Sequence, residues 1–391
     1  KFINLEQIKK ILSKSHIKNN YDYSIILSDF YEKNHLKSDI NANYIKFIKL
    51  YESLNKKKFD KIYTLNINNF IKSYLETYYL RKQKTFLFNY NFISLFTKSI
   101  IFLIYYFLRS IVFKLIFLFR VIKYDKSTIF QTYFPFINKD NYTYLLEDQC
   151  LYFNKISSMY KNNNLWILHS IKSIKVSLLE YFNFIIFSKS NITLIENEIF
   201  FSDYFKILTQ YLNLNFKTFK FLNQKINIEN DHYNYFIRYN LSTSLIRKNF
   251  IYNLICSYSY KNLFSQIHNN AKFIYLFENQ SWEKAANFNK PDNVKSIAYN
   301  HTSVSKTYLF FYSNEGDKLN KTYKRTLPDV VAANSDYSFD LLKTQFDNIY
   351  KVESLRHNHL KNTIFENKSS KNLLFLFSIN QFENNYLLNL V

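Results

Sequence analysis

Short apolar runs alternate with helical stretches from Lys126 onward, and this alternation limits the possible fold more than any other feature of the chain. Several of the runs are apolar on both faces, as strands must be when helices cover both faces of a parallel sheet. Strand–helix alternation of this kind predicts a doubly wound α/β sheet. The expected strands are 128–136, 165–171, 192–195, 273–277, 294–299, 330–333, 349–353 and 372–379.

The first 125 residues have a different pattern, because apolar residues recur there every three or four positions. This spacing predicts a helical N-terminal region over 1–125. Within it, the apolar segment 100–122 approaches the length of a membrane span but is interrupted by cations. Lys98, Arg109 and Arg120 share one side of a helix. Since a charge at the centre of a bilayer is costly, we expect a helix that lies in the membrane interface with snorkelling cations. A buried core helix and a true span are the alternatives.

A polar segment, 361–371, separates the last expected strand from the others. Its content of Asn, Ser and Lys is typical of an interdomain connection. We therefore expect a Rossmann-like domain over 126–360 and the start of a second α/β domain over 361–391. The chain opens without Met and ends inside an expected helix. We thus expect a piece of a longer protein, with its second domain truncated.

Polar side chains follow the expected strand 273–277 at the point where it ends. In an open parallel sheet, ligands bind outside the carboxyl ends of the strands. Glu278 has this position, and its carboxylate could take a proton from an acceptor hydroxyl. Trp282 offers a flat apolar face on which a sugar could stack, or else it is a core residue. Glu283 lies in the first turn of the next helix, where it could bind a substrate or only complement the helix dipole.

A second group of polar residues follows the next expected strand, 294–299. His301 and Thr302 come directly after it, and a histidine in this place can orient a phosphate or act as an acid or base. His301 follows Glu278 by one strand–helix unit, so the two side chains could share one cleft. We select Glu278 and His301 as candidate catalytic residues, and Thr302 as a candidate for binding substrate.

Two later strand ends supply further candidates for substrate binding. Asn334 follows strand 330–333, and Arg356 follows strand 349–353. An arginine there could pair with a phosphate or a carboxylate. His357 and His359 are two residues apart, which is not the spacing of three or four that a helical metal pair needs, so we expect no metal site.

Composition excludes several classes of enzyme. The chain contains one glycine, so a glycine-rich phosphate loop of the P-loop or dinucleotide type is impossible. There is no GxSxG or HExxH motif either, which disfavours a serine hydrolase and a zinc protease. Cys150 and Cys256 lie far apart without metal spacing, and we expect two buried thiols in a reducing compartment.

The formal net charge is +22, which usually indicates nucleic acid or an anionic membrane as a partner. Asn, Lys and Ile are abundant while Gly and Pro are rare, as in proteins from AT-rich genomes. The lysines are spread along the chain without an arginine-rich block, so we do not expect nucleic acid as a partner. A membrane surface or phosphate-bearing ligands fit the charge as well.

Four segments in the last third resemble a bacterial family, the surface carbohydrate biosynthesis proteins. The segments are YLFENQSWEKAAN (275–287), IAYNHTSVS (297–305), LPDVVAANSDYSFDLL (327–342) and VESLRHNHL (352–360). Their order follows the family's "FE…WE", "HT…S", "PD…N" and "LR" elements. The likeness covers about 271–360 and extends loosely back to 128–136 and 162–170.

The resemblance implies a glycosyltransferase of the GT-B type, with an acceptor-side domain followed by a donor domain. Its reaction would transfer a sugar from a nucleotide-sugar to a glycan or lipid-linked acceptor, in capsule or O-antigen synthesis at the cytoplasmic face of the inner membrane. No further cofactor is expected. The matching residues are Glu278, Trp282, Glu283, His301, Thr302, Asn334 and Arg356. A non-catalytic pathway or assembly protein of the same fold, and a basic RNA-binding or ribosomal component, are the alternatives.

Overall fold

The computed structural model describes residues 22–28, 47–50, 71, 74–75, 90–134, 150, 152–153, 159, 163–170, 177–222, 232–302, 304, 311, 313 and 315–355. Within these residues, seven parallel strands form one sheet. They are β1 (Thr128–Phe134), β2 (Asn164–Ser170), β3 (Ile192–Leu194), β4 (Ala271–Leu276), β5 (Val294–Asn300), β6 (Val330–Ala333) and β7 (Ile349–Lys351). The prediction of a parallel α/β sheet is confirmed.

The strands lie in the order β3-β2-β1-β4-β5-β6-β7. The chain builds outward from β1 to β3, returns to place β4 beside β1, and then builds outward the other way to β7. This order is that of a doubly wound, Rossmann-like sheet. The side on which the chain adds new strands changes between β1 and β4. The expected strand 372–379 and the expected second domain 361–391 lie outside the described residues.

Ten helices occur in the described ranges and accompany the strands. They are α1 (Asp22–Ile26), α2 (Tyr90–Phe117), α3 (Leu178–Phe187), α4 (Phe201–Leu222), α5 (His232–Ile246), α6 (Lys248–Phe264), α7 (Ser281–Asn289), α8 (Glu315–Leu319), α9 (Lys321–Lys324) and α10 (Asp336–Leu342). Local signals place several of their ends. Ser177 and Glu180 form a capping box at the start of α3, and Ser335 caps α10.

Helices cover both faces of the sheet, which explains why the central strands are apolar at successive positions. Ile274 and Leu276 of β4 pack in the layer formed by α3 and the end of α2. Phe273 and Tyr275 alternate with them and pack in the opposite layer, beneath α6 and α7. Side chains of a strand point alternately to the two faces, so one continuous apolar run supplies both cores.

Helix α2 packs against α4, α5 and α6 in a third cluster of buried side chains. It belongs to the same compact unit as the sheet, whereas residues 357–391 lie outside the described residues. By length and composition alone, Phe92–Phe117 could cross a membrane. However, α2 packs against other helices and against the sheet, as a helix of the folded core does.

Arg109 of α2, and Arg120 just after the helix, contact protein groups. Arg109 Nε donates to Glu196 Oε1 at 3.1 Å, and Arg109 Nη2 donates to Ser170 Oγ at 2.8 Å. Arg120 Nη1 donates to the carbonyl oxygen of Ser188 at 2.9 Å. The expectation that these arginines snorkel towards lipid headgroups is therefore wrong. A true span would break the same contacts.

Candidate active site

The strand order of the sheet reverses between β1 and β4, and the space between their carboxyl ends is the candidate crevice. β1 pairs with β2 along all of 128–134, but it pairs with β4 only along 128–130. Beyond Phe130, β1 and β4 therefore separate. The amide of the buried residue Gln131 lies between them, and the Leu276 N–H donates to Gln131 Oε1 at 3.4 Å in place of a backbone acceptor. Such a separation at the reversal point is where ligands bind in doubly wound sheets.

Glu278 and His301 meet at this edge of the sheet. Glu278 follows β4 and His301 follows β5, and Glu278 Oε1 lies 3.5 Å from His301 Nε2. The Glu278 side chain is 32% exposed, whereas the His301 side chain is 5% exposed. The ring of Tyr152 contacts the His301 ring edge-on, at 4.9 Å between centroids. The structure thus brings together the two candidate catalytic residues, with the carboxylate on the solvent side.

A network of side chains holds the loop that carries Glu278. The Gln280 amide donates from Nε2 to Glu278 Oε2, and Gln280 Oε1 accepts from Trp282 Nε1 at 2.9 Å. Asn279 has a φ of 54°, in the left-handed region that asparagine tolerates better than most residues. The loop therefore turns sharply, and its orientation is tied to the core through the indole of Trp282.

Glu283 binds the backbone of the same loop from inside the protein. Its two carboxylate oxygens accept from the backbone N–H of Glu278 at 3.0 Å and of Asn279 at 2.9 Å. The residue is 1% exposed, and burial raises the pKa of the Glu283 carboxyl well above its ordinary value. We expected a substrate-binding residue here, but both oxygens are engaged inside the protein. Glu283 therefore holds the backbone of the Glu278 loop in place.

Trp282 belongs to the core. The residue is 2% exposed, and its ring lies 4.5 Å from the His169 ring and stacks on Tyr260 at 6.3 Å between centroids. A ring enclosed in this way has no open face, so our expectation that a sugar stacks on it is corrected. The reason is its position in the first turn of α7, which directs the indole beneath α6.

The remaining predicted site residues lie at the same edge or outside the described residues. Thr302 follows His301 and is half-buried, and Asn334 is half-buried at the end of β6. Because β6 is the neighbour of β5, both residues are on the correct side of the sheet to contact a ligand. Their roles stay predictions. Arg356 lies outside the described residues.

Asn300 is a site residue that the sequence analysis passed over. It is the last residue of β5 and is 0% exposed, and in the described part of the chain neither Nδ2 nor Oδ1 has a hydrogen-bond partner. A buried amide without partners is costly, and the polar groups of a ligand would offset that cost. Its place beside His301 was the available signal, but the strand was expected to end one residue earlier.

Comparison with known proteins adds no relative: no family model, no curated protein and no solved structure matches the chain. The likeness to surface carbohydrate biosynthesis proteins therefore rests on the four sequence segments described above. The fold itself is α/β and Rossmann-like.

Proposed function

We propose that this chain is the acceptor-side part of a GT-B-like glycosyltransferase in bacterial surface polysaccharide synthesis. It would transfer a sugar from a nucleotide-sugar to a glycan or lipid-linked acceptor, in capsule or O-antigen assembly at the cytoplasmic face of the inner membrane. The observation that carries the proposal is the Glu278–His301 pair at the carboxyl ends of β4 and β5, next to the point where β1 and β4 separate.

The pair suits the activation of a hydroxyl group. In the proposed reaction, the acceptor oxygen forms a bond to the anomeric carbon, and the bond from that carbon to the nucleotide phosphate breaks with its electrons. The hydroxyl proton passes to Glu278, whose side chain is the more exposed of the two. His301, held against Tyr152, orients the carboxylate through its Nε2. Gln280 and Glu283 keep the Glu278 loop in place.

Substitution of the pair tests the proposal. We expect Glu278→Gln and His301→Gln, each in the full-length protein, to lower kcat for nucleotide release from nucleotide-sugars by about 10²–10⁴-fold, as loss of a general base does. Glu353→Gln is the matched control, because Glu353 is an exposed glutamate just after β7. We expect its kcat to equal that of the wild type. Retention of wild-type kcat by both Glu278→Gln and His301→Gln would contradict the proposal.

The same assay distinguishes the proposed transferase from the leading alternative, a non-catalytic protein of the same fold. A non-catalytic protein of this fold would bind a nucleotide-sugar or glycan without turnover, and the two substitutions would then leave the release of nucleotide at the buffer rate. Loss of surface glycan in cells that carry Glu278→Ala or His301→Ala, with normal protein levels, is the expected result if the chain is the transferase.

A further inference from the structure

Helix α2 exposes apolar side chains. Ile101, Ile104, Leu108 and Leu115 are spaced by three, four and seven residues and therefore lie on one side of the helix. Each is between 54% and 59% exposed. Residues 90–117 contain no Asp or Glu. A soluble helix usually turns such a stripe towards the core. Helix α2 instead buries other apolar side chains, such as Leu103 and Phe113, and leaves this stripe exposed.

Two of the three cations of the same helix, Arg109 and Lys114, contact protein groups. Arg109 is paired with Glu196, and its side chain is 15% exposed. Lys114 Nζ donates to the carbonyl oxygen of Asn197 at 2.7 Å. Because protein groups neutralise or solvate these charges, the exposed side of α2 can enter an apolar medium without moving a bare charge into it.

Two helices that pack against α2 also expose apolar side chains. Phe113 of α2 contacts Tyr181 of α3 at 5.1 Å between ring centroids, and α3 exposes 67% of Leu179. On the other flank, Phe107 contacts Phe201 of α4 at 5.8 Å, and Phe201 is 45% exposed. We define the apolar patch as Ile101, Ile104, Leu108, Leu115, Leu179 and Phe201. Isolated apolar residues are common on protein surfaces, whereas a patch over three adjacent helices marks an interaction site.

A basic groove adjoins the patch. It lies between α2 and the start of α6, has a cavity volume of about 610 Å³, and is lined by Lys98, Arg247 and Lys248 together with Ile101 and Tyr105. Lys98 and Lys248 are exposed. Cations beside an apolar surface match the two parts of an anionic lipid, whose phosphate and acyl chains lie next to each other.

We propose that the apolar patch docks on an anionic lipid bilayer, with the basic groove receiving lipid phosphates. The patch would enter the boundary between headgroups and acyl chains, as interfacial amphipathic helices do. A protein partner with an apolar face would leave the cations of the groove unpaired, so lipid fits both features. Arg109 bonds Ser170 at the end of β2. This part of α2 therefore lies near the carboxyl end of β2, the neighbour of β1, at the edge of the sheet where the proposed function would place a lipid-linked acceptor.

Vesicle sedimentation tests the docking surface. The full chain is mixed with vesicles of phosphatidylcholine alone and with vesicles that contain about one third phosphatidylglycerol. We expect Ile104→Asp and Leu108→Asp each to lower the partition onto anionic vesicles at least tenfold. We expect Lys98→Gln and Lys248→Gln each to lower it about fivefold, with little change for neutral vesicles. Leu319→Asp is the matched control, because Leu319 is 78% exposed on α8, outside the patch.

The outcomes are distinct. The proposal holds if the wild type and Leu319→Asp bind alike while the patch variants, with unchanged urea midpoints, do not. Wild-type protein that stays in the supernatant at millimolar lipid overturns it, as does binding that Ile104→Asp and Leu108→Asp leave unchanged. A concentration-dependent dimer that Leu108→Asp abolishes, without vesicle binding, also overturns it and assigns the patch to a second copy of the chain. None of these results depends on sugar transfer.

Discussion

Replacement of Arg109 by methionine tests how α2 is attached to the sheet. The guanidinium is paired with Glu196, which is 0% exposed, and it also donates to Ser170 Oγ and to Tyr181 at 3.1 Å. Burial by itself lowers the pKa of Arg109, but the charge of Glu196 more than offsets it and raises that pKa above the ordinary value. Methionine keeps the apolar volume of the side chain and removes the charge.

The expected loss follows from the geometry. Two unit charges 3.1 Å apart attract by about 5 kcal/mol at an effective dielectric constant of about 20. Removal of one partner from a buried pair typically costs about 3–5 kcal/mol, because the other charge stays buried alone. Glu196 Oε2 has no hydrogen-bond partner in the described part of the chain. We therefore expect Arg109→Met to lower the free energy of unfolding by about 3–5 kcal/mol.

Urea unfolding followed by tryptophan fluorescence measures this loss. The chain has two tryptophans, and Trp166 and Trp282 are 0% and 2% exposed in the two layers of the sheet domain. Lys98→Met is the matched control on the same helix, because Lys98 is exposed, and its effect should stay within about 0.5 kcal/mol. The double variant Arg109→Met/Glu196→Leu should recover at least about 2 kcal/mol, since it removes both charges.

Two results would refute this reasoning. A loss below about 1 kcal/mol for Arg109→Met would mean that water or lipid headgroups, rather than Glu196, solvate the guanidinium. Additive losses in the double variant, within about 0.5 kcal/mol, would mean that the two side chains do not interact. Either result would mean that this ion pair does not attach α2 to the sheet, and would favour a helix that lies free in the membrane interface.

Three further predictions concern the site loop and one helix end. Because burial raises the pKa of Glu283, its protonated form contributes stability that is complete below about pH 4 and is lost as pH rises through the higher pKa of the folded state. Urea titrations between pH 4 and 8 should show the wild type losing stability relative to Glu283→Gln. Asn279→Val should lower the free energy of unfolding by about 1–2 kcal/mol in urea unfolding, whereas Asn279→Gly should not, since φ is 54°. Ser335→Ala should cost about 1 kcal/mol in the same assay, and Ser335→Thr less, because Ser335 Oγ accepts from the Ser338 N–H.

The sheet follows closely from the sequence. The run 273–277 is apolar at successive positions because helices cover both faces of the sheet. Seven of the eight predicted runs are strands, and the eighth, 372–379, lies outside the described residues. The approach of Glu278 to His301 follows from the same pattern, since consecutive parallel strands end at one edge. These features depend on residues close together in the chain, so the local pattern of apolar and polar residues is enough to predict them.

The burial of Trp282 and the inward direction of Arg109 could not be predicted in this way. Arg109 is held by Glu196, 87 residues further along the chain, and Trp282 by His169 and Tyr260. Helix α2 is apolar nearly all round, so its periodicity does not distinguish a core-facing side from an exposed one.

By itself, the sequence determined the parallel α/β sheet and the candidate residues at the strand ends. Only the tertiary structure decided which strands are neighbours at the crevice, which polar groups near it are buried, and which side of α2 faces outward. The physical reason is that strand identity depends on local side-chain pattern, whereas burial and charge pairing depend on partners that only folding brings together.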